Sequence, residues 1–319
     1  MEINKNKFDF INSVNPNCGV FQYGIRLSNI LKKAGLDFNY LECGSFEDFS
    51  TKKHSSIIIF NYISAGRPNA PIGWLTQNII DQLRDDSITV GAIGHLENVK
   101  YDFDFVIRQD PARAEDQKNF SLPRPLFYDE ANSPFKSSSV RNIQDIRNNT
   151  LVGSFGLGNK SKNLPDLIRL TNEQIFKGII RLNLNSSYYS DPQGKILSEI
   201  IKECYSVKLK ETVELEITNE FLDDNEIISF LNKNDINIFN YENQADDGGI
   251  SSSLDYAISA MKPFAVSSSP MFKHVSNAHN LNNGIFNIIE NNIKHNDYPK
   301  IWSHKNLIKK FLSILESVS

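Results

Sequence analysis

The stretch that decides the fold is residues 151–184, which read LVGSFGLGNKSKNLPDLIRLTNEQIFKGIIRLNL. Short apolar runs at 151–155 and 178–184 predict two strands, and the amphipathic run at 164–176 predicts a helix between them. Strands that alternate with helices of about ten residues or more are typical of βαβ units and a parallel sheet. This stretch therefore predicts an α/β fold.

The same alternation continues to residue 266. The sequence predicts further strands at 213–217, 236–240 and 264–266, and further helices at 194–204, 224–231 and 252–261. A parallel sheet needs helices on both faces, and it binds its ligand at the carboxyl ends of its strands. The segments that follow each strand are therefore the places to look for a site.

The first half of the chain follows the same pattern less regularly. Strands are predicted at 8–11, 38–41, 57–60, 89–93 and 103–107, and helices at 23–34 and 75–83. The periodicity disappears in the stretch 132–150, which is rich in Ser and Asn. We therefore predict two doubly wound, Rossmann-like domains facing a cleft, at 1–140 and 150–300, followed by a helical segment at 301–319.

Composition limits the classes of function. The 319 residues are 40% hydrophobic and 23% charged, which is typical of a globular protein with two domains. A net charge of −4 without a basic stripe argues against a nucleic-acid partner. The three cysteines are scattered and predict neither a disulfide framework nor a zinc site. The apolar runs are too short for a transmembrane segment and the start lacks a signal peptide, so we expect a cytoplasmic protein.

The loop at 246–257, DDGGISSSLDYA, carries the most informative polar residues. It follows a predicted strand and opens a helix, so the N–H groups of Ser252 and Ser253 favour an anion such as a diphosphate. Asp255, one turn into the helix, can accept hydrogen bonds from two vicinal hydroxyls, and Asp247 can do the same for a sugar ring. Acidic residues in such places are also common as helix caps, and that alternative stays open.

The spacing of these two acids resembles a known family. Retaining glycosyltransferases of the GT-B fold, the group 1 or family 4-like class, carry two glutamates separated by seven residues in a Gly-rich loop that leads into a helix. Asp247 and Asp255 have this separation, with Asp in place of Glu. The resemblance implies that Asp255 meets the ribose of a nucleotide and that Asp247 meets the donor sugar.

A second segment, residues 152–163, resembles the turn that meets the donor diphosphate in the same family. Gly156 matches its glycine, and either Lys160 or Lys162 matches its lysine. The family's arginine is missing here. Arg181, expected at the end of the next strand, is the candidate to replace its charge, because a leaving diphosphate needs cationic stabilisation.

Residues in the first half are candidates for the acceptor side. Gly19 matches the glycine-rich turn that borders the donor–acceptor cleft in GT-B enzymes, although an ordinary tight turn explains it equally well. His95 follows a predicted strand and is a candidate base or hydrogen-bond partner, against the commoner structural role. Arg67 and Trp74, on a loop rich in Gly and Pro, are candidates to line an acceptor site, with a capped surface loop as the alternative.

Two further patterns are rejected. The stretch 153–161 nearly matches a phosphate-binding P-loop, but Asn159 interrupts the motif. Asp102 and Asp104 resemble the metal-binding acid pair of GT-A glycosyltransferases, yet their alternating surroundings predict a strand with polar residues facing outward.

The resemblance implies a glycosyltransferase that takes a nucleoside-diphosphate sugar in its C-terminal domain and a glycan or other small acceptor in its N-terminal domain. It implies no metal and no cofactor beyond the donor, and a final helix that crosses back to the first domain. A non-catalytic protein that binds nucleotide sugars or glycans is the alternative, because the arginine is missing and both acids are shortened.

Overall fold

The structure is a computed structural model that describes residues 7–15, 18–63, 72–96, 98–111, 113–129, 133–134, 141–186, 191–242, 249–275, 277–295 and 300–319. The chain divides into two compact units. Unit 1 comprises the described residues up to 126, residues 249–250 and residues 300–319. Unit 2 comprises the described residues of 127–242 and 251–295.

Strands and helices alternate along the described chain. The strands are β1 (Phe8–Asn12), β2 (Phe38–Glu42), β3 (Ile57–Tyr62), β4 (Thr89–Gly94), β5 (Phe105–Arg108), β6 (Asn119–Ser121), β7 (Thr150–Leu157), β8 (Gly178–Asn185), β9 (Val213–Thr218), β10 (Ile236–Phe239) and β11 (Phe264–Val266). The α-helices are α1 (Gly19–Lys33), α2 (Phe46–Ser50), α3 (Gln77–Asp85), α4 (Ile143–Asn148), α5 (Leu164–Gln174), α6 (Lys195–Ser206), α7 (Asp224–Asn232), α8 (Ser253–Ser259), α9 (Ile285–His295) and α10 (His304–Val318).

Unit 1 contains a parallel sheet in the order β2-β1-β3-β4-β5-β6. Every residue of β1 and β3 is buried, as expected for inner strands covered by helices on both faces. The final helix α10 packs its Phe311 against the same core as Phe8, with ring centroids 5.5 Å apart. The end of the chain is therefore part of the core of unit 1.

Unit 2 contains a parallel sheet in the order β11-β10-β7-β8-β9. Its helices begin with recognisable signals: Asp223 and Glu226 form a capping box for α7, and Pro165 lies in the first turn of α5. Helices α5, α6 and α9 share a core with β7 and β8. The carboxyl ends of β7 and β10 lie side by side, because these strands are paired.

The predicted fold class, two α/β domains of parallel strands, is confirmed. The bounds of the predicted strands lie within two residues of the observed ones. The strand expected from residue 103 begins at Phe105, since the Asp104 carboxylate instead accepts hydrogen bonds from Arg84 and from the backbone N–H of Val90. The sequence did not predict β6 or the helices α2, α4 and α9, most of which are short. No helix in the described segments has the length and apolar character to cross a membrane.

Burial predicts which aromatic residues stabilise unit 2. Phe239 is 0% exposed in β10, whereas Phe221 is 87% exposed between β9 and α7. We expect Phe239→Ala to lower the free energy of unfolding by about 3–5 kcal/mol, because it removes a ring and leaves a cavity. The matched variant Phe221→Ala should change it by no more than about 0.5 kcal/mol. Chemical denaturation followed by circular dichroism measures both, and equal losses would contradict the assigned strand β10.

Candidate functional site

The candidate site in unit 2 lies where β7 and β10 end. After β7 the chain forms a 3₁₀ turn at Lys160–Lys162, and after β10 it continues through Asn240 and Tyr241. The backbone N–H of Glu242 donates to the carbonyl of Ser161 at 2.9 Å, which joins the two segments. The turn that carries the two candidate lysines is therefore fixed to the segment that follows the neighbouring strand.

Gly156 allows a lysine side chain to lie against the backbone of β7. Its φ angle is +129°, in the region that favours glycine, and a side-chain carbon built there would overlap the Lys162 ammonium. Lys162 is only 8% exposed, whereas Lys160, two residues earlier, is exposed. The structure thus brings Gly156 and Lys162 together, and it leaves Lys160 in solvent.

Hydroxyl groups surround the Lys162 ammonium. Its Nζ lies 5.3 Å from the ring centroid of Tyr241. The Tyr241 hydroxyl lies 2.8 Å from Ser253 Oγ and accepts a hydrogen bond of 3.3 Å from Ser251 Oγ. Lys162, Tyr241, Ser251 and Ser253 therefore form one buried polar cluster, which we call the Lys162 cluster.

Charge perturbs the phenol of this cluster. Burial by itself raises the pKa of Tyr241, but the positive charge of Lys162 and hydrogen bonds from Ser251, Ser253 and Lys162 lower it by more. The pKa of the Tyr241 phenol is consequently lower than that of an ordinary tyrosine.

The loop before α8 differs in part from the expectation. Ser252 is exposed and precedes the first residue of α8, and Ser253 is buried within the Lys162 cluster. The backbone N–H of Ser253 donates to Ser251 Oγ at 3.3 Å, so it does not point outward as expected. Both the N–H and the side chain of Ser253 therefore bond to members of the cluster. Asp247, the predicted sugar ligand, lies outside the described residues.

Asp255 lies in the first turn of α8, as predicted, but it is only 1% exposed. Its backbone carbonyl accepts a 2.6 Å hydrogen bond from Ser259 Oγ. Ser259 Oγ in turn accepts the backbone N–H of Phe127 at 3.1 Å. The helix that carries Asp255 is therefore fastened to the segment at the start of unit 2.

Arg181 lies at the fourth residue of β8, so the expectation that it ends the strand was wrong. Its guanidinium donates to Asn234 Oδ1 at 3.0 Å and to Glu216 Oε2 at 3.4 Å, and it lies 5.0 Å from the ring centroid of Phe230. These partners lie on β9 and at the end of α7, which precedes β10. The structure therefore does not bring Arg181 to the Lys162 cluster.

In unit 1, polar side chains form a chain across the carboxyl edge of the sheet. The members come from the ends of β1, β3, β4, β5 and β6, in the order of the strands in the sheet: Asn12, Asn61, His95, Gln109 and Arg124. Asn61 Nδ2 donates to Asn12 Oδ1 at 2.9 Å, and Arg124 donates to Gln109 Oε1. We call this set the edge network.

The edge network fixes the tautomer of His95. Asn61 Nδ2 already donates to Asn12 Oδ1 and to the Val20 carbonyl, so Asn61 Oδ1 accepts the Nε2–H of His95 at 2.7 Å. Gln109 Oε1 accepts from Arg124, so Gln109 Nε2 donates to His95 Nδ1 at 2.7 Å. Both ring nitrogens are therefore occupied by side chains of unit 1, as in the structural role that was the alternative, and a role of His95 toward an acceptor stays a prediction.

Electrostatics keeps His95 neutral. Burial lowers the pKa of His95 well below its usual value, and the positive charges of Arg124 and Arg26 lower it further. Arg124 is 4% exposed, and its guanidinium lies 5.4 Å from the ring centroid of Tyr23, which contacts His95 edge-on at 4.9 Å. A protonated His95 would therefore be repelled by two cations, and its new N–H would face a hydrogen-bond donor instead of an acceptor.

The remaining candidates of unit 1 lie apart from the edge network. Gly19 is the exposed first residue of α1, with no heavy atom near a built side-chain carbon. Gly24 is the position that requires glycine, because a side chain there would overlap the amides of Asn12 and Asn61. Trp74 packs among Phe49 and other aromatic residues and donates to the Cys43 carbonyl at 3.3 Å, so it is not a free stacking surface; Arg67 lies outside the described residues.

The sequence missed Tyr241, Asn61, Gln109 and Arg124. Each of the first three lies within two residues of the end of a strand, and that position was a usable signal. The described residues contain no group of three or more His, Cys, Asp or Glu side chains placed to hold a metal ion.

The lowered pKa of His95 predicts a pH dependence of stability. The folded state holds His95 neutral, whereas the unfolded chain binds a proton below a pKa of about 6.5. This contribution to stability is therefore fully present above about pH 6.5 and is lost as the pH falls, by up to about 1.4 kcal/mol per pH unit. As the pH is lowered from 7.5 to 5, the melting temperature of wild type should fall more steeply than that of His95→Gln. Parallel slopes would contradict the neutral assignment.

Comparisons with known proteins bear on the fold. The sequence matches no protein-family model and no curated protein. HepE of Anabaena, solved in complex with UDP, is 11% identical and superposes with a TM-score of 0.58 over 98% of this chain and 100% of HepE. A UDP-forming α,α-trehalose-phosphate synthase from Burkholderia xenovorans is 10% identical, with a TM-score of 0.58 over 98% of each chain.

AviGT4, a glycosyltransferase involved in avilamycin A biosynthesis, is 10% identical and superposes with a TM-score of 0.55 over 98% of this chain and 96% of AviGT4. At such identities a structural likeness establishes the fold alone. The likeness extends over nearly the whole chain in all three cases. The chain therefore has the GT-B fold that the spacing of its acids implied.

Proposed function

We propose that the chain is a glycosyltransferase that takes its sugar from a nucleoside-diphosphate donor bound at the carboxyl edge of the unit 2 sheet. One observation carries this proposal. The ammonium of Lys162 is 8% exposed, and within the segments that the structure describes it has no carboxylate partner. It lies instead against the backbone at Gly156 and among the hydroxyls of Tyr241, Ser251 and Ser253.

A buried cation without a carboxylate is costly, because it has lost water and has gained only neutral hydrogen-bond partners. An anionic ligand would offset that cost. A diphosphate fits this requirement, since its charge grows when the bond between the sugar carbon and the phosphate oxygen breaks. Lys162 would then stabilise the leaving group more strongly in the transition state than in the bound donor.

The fold adds support of a general kind. HepE has been solved with UDP and with UDP-glucose, and AviGT4 is described as a glycosyltransferase. These ligands and activities belong to those proteins. What transfers to this chain by proposal is the class of donor, a nucleoside-diphosphate sugar, with its sugar and base left open and with a glycan or other small molecule as acceptor.

The acids keep their proposed roles on the resemblance: Asp255 toward the ribose and Asp247 toward the sugar. Because Asp255 is 1% exposed, a ribose reaches its carboxylate only after neighbouring side chains move. Lys162 takes the role that the sequence divided between Lys160 and Lys162. The proposal draws its cationic charge from Lys162 and invokes neither a metal ion nor a further cofactor.

The proposal predicts a difference between two lysines of one turn. We expect Lys162→Met to lower the rate of nucleoside-diphosphate release from a nucleotide sugar by about 100-fold or more, as when one group that stabilises transition-state charge is removed. Lys160→Met, which changes an exposed lysine, should stay within about threefold of wild type. The assay measures the nucleoside diphosphate that is released from each member of a panel of UDP-, GDP- and ADP-sugars, with and without simple sugar acceptors.

Two results would count against this function. Equal rates in wild type and Lys162→Met would show that Lys162 does not stabilise the leaving group. Tight binding of a nucleotide sugar without release of diphosphate, for every donor and acceptor in the panel, would favour the alternative of a non-catalytic binding protein.

A further inference from the structure

Tyr241 is held in place from several sides. Its backbone carbonyl accepts Ser267 Oγ at 2.8 Å, and its ring contacts Phe272 with centroids 4.8 Å apart. The next residue, Glu242, donates its N–H to the carbonyl of Ser161, directly before Lys162. Tyr241 and the turn that carries Lys162 are therefore fixed relative to each other by the backbone as well as by their side chains.

The hydroxyl of Tyr241 is the centre of the Lys162 cluster. It accepts a hydrogen bond from Ser251 Oγ and lies within hydrogen-bonding distance of Ser253 Oγ, and the Lys162 ammonium lies 5.3 Å from the centroid of its ring. The lysine side chain has four rotatable methylene links, so its ammonium needs such a partner to occupy one position. A preorganised charge stabilises a ligand more than a mobile one, because it needs no reorganisation when the ligand binds.

Resting on the proposed function, we infer that Tyr241 is a positioning residue that holds the Lys162 ammonium against Gly156 for the donor diphosphate. Tyr241 itself is 7% exposed and acts through Lys162 rather than by touching the reacting atoms. The lowered pKa of the Tyr241 phenol agrees with this contact, because the charge of Lys162 stabilises the phenolate.

Ultraviolet titration tests the contact without any nucleotide. The difference in absorbance at about 295 nm between wild type and Tyr241→Phe isolates one phenol among the 11 tyrosines. We expect this phenol to ionise below the ordinary pKa of about 10 in wild type, and at a higher pH than in wild type when the same pair is compared in the Lys162→Met background. Circular dichroism confirms that each variant stays folded. An unchanged midpoint in that background would overturn the inferred contact.

A double-mutant cycle tests the positioning role. The probes are UDP, GDP and ADP, each compared with its nucleoside. Tyr241→Phe keeps the ring and should weaken diphosphate binding by about tenfold, as expected for a lost hydrogen bond to a charged group, with nucleoside binding unchanged. In the Lys162→Met background the same substitution should have no further effect, because the group that it positions is gone.

Tyr128→Phe is the matched control. It removes a hydroxyl that bonds to Asn225 Oδ1 at 2.6 Å, elsewhere in unit 2, and it should leave the affinities unchanged. Additive losses from Tyr241→Phe and Lys162→Met would overturn the positioning role. If wild type binds a diphosphate and Tyr241→Phe binds it equally well, the inference fails and the proposed function stands. If wild type binds no diphosphate, the proposed function fails and the positioning role fails with it.

Discussion

Parallel pairing of strands is the constraint on which the rest of the structure depends. In each unit the connections lead from the carboxyl end of one strand back to the amino end of the next. The carboxyl ends of all strands in a sheet therefore lie along the same side of it. Residues far apart in sequence become neighbours there: Asn12 and Arg124 belong to one network, and Lys162 and Ser253 to another. Backbone geometry, rather than local sequence, assembles both.

The two networks differ in how their hydrogen bonds are satisfied. In the edge network of unit 1, each amide and the imidazole of His95 has a defined donor or acceptor on both sides, and burial, together with the two arginines, lowers the pKa of His95. Such a network is rigid and specifies one arrangement of side chains. In the Lys162 cluster of unit 2, the ammonium lies among hydroxyl groups and has no carboxylate partner among the described residues. The first arrangement favours structure, and the second favours an anionic ligand.

The sequence predicted most of the fold because its signals were local. Apolar runs such as that of β7 and caps such as that of α7 specify their own elements. From the resemblance it named Gly156 and either Lys160 or Lys162 as candidates, and the structure places Gly156 within β7, against Lys162. It placed Arg181 wrongly because Arg181 lies in the middle of the strand, where its side chain bonds to Glu216 and Asn234 on neighbouring parts of the fold. It missed Tyr241, two residues after β10, because an aromatic residue near an apolar strand resembles one more core residue and its position at the carboxyl end of the strand was not used.

The central claim is that the Lys162 cluster binds the diphosphate of a nucleotide, and a thermal-shift screen tests it most directly, because a ligand that binds only the folded state raises its melting temperature. The account predicts that nucleoside diphosphates of one base raise the melting temperature of wild type. It predicts that the nucleoside alone does so far less, and that this preference for the diphosphate disappears in folded Lys162→Met. A wild-type protein that responds equally to nucleoside and diphosphate, or a Lys162→Met variant that keeps the preference, would contradict the account.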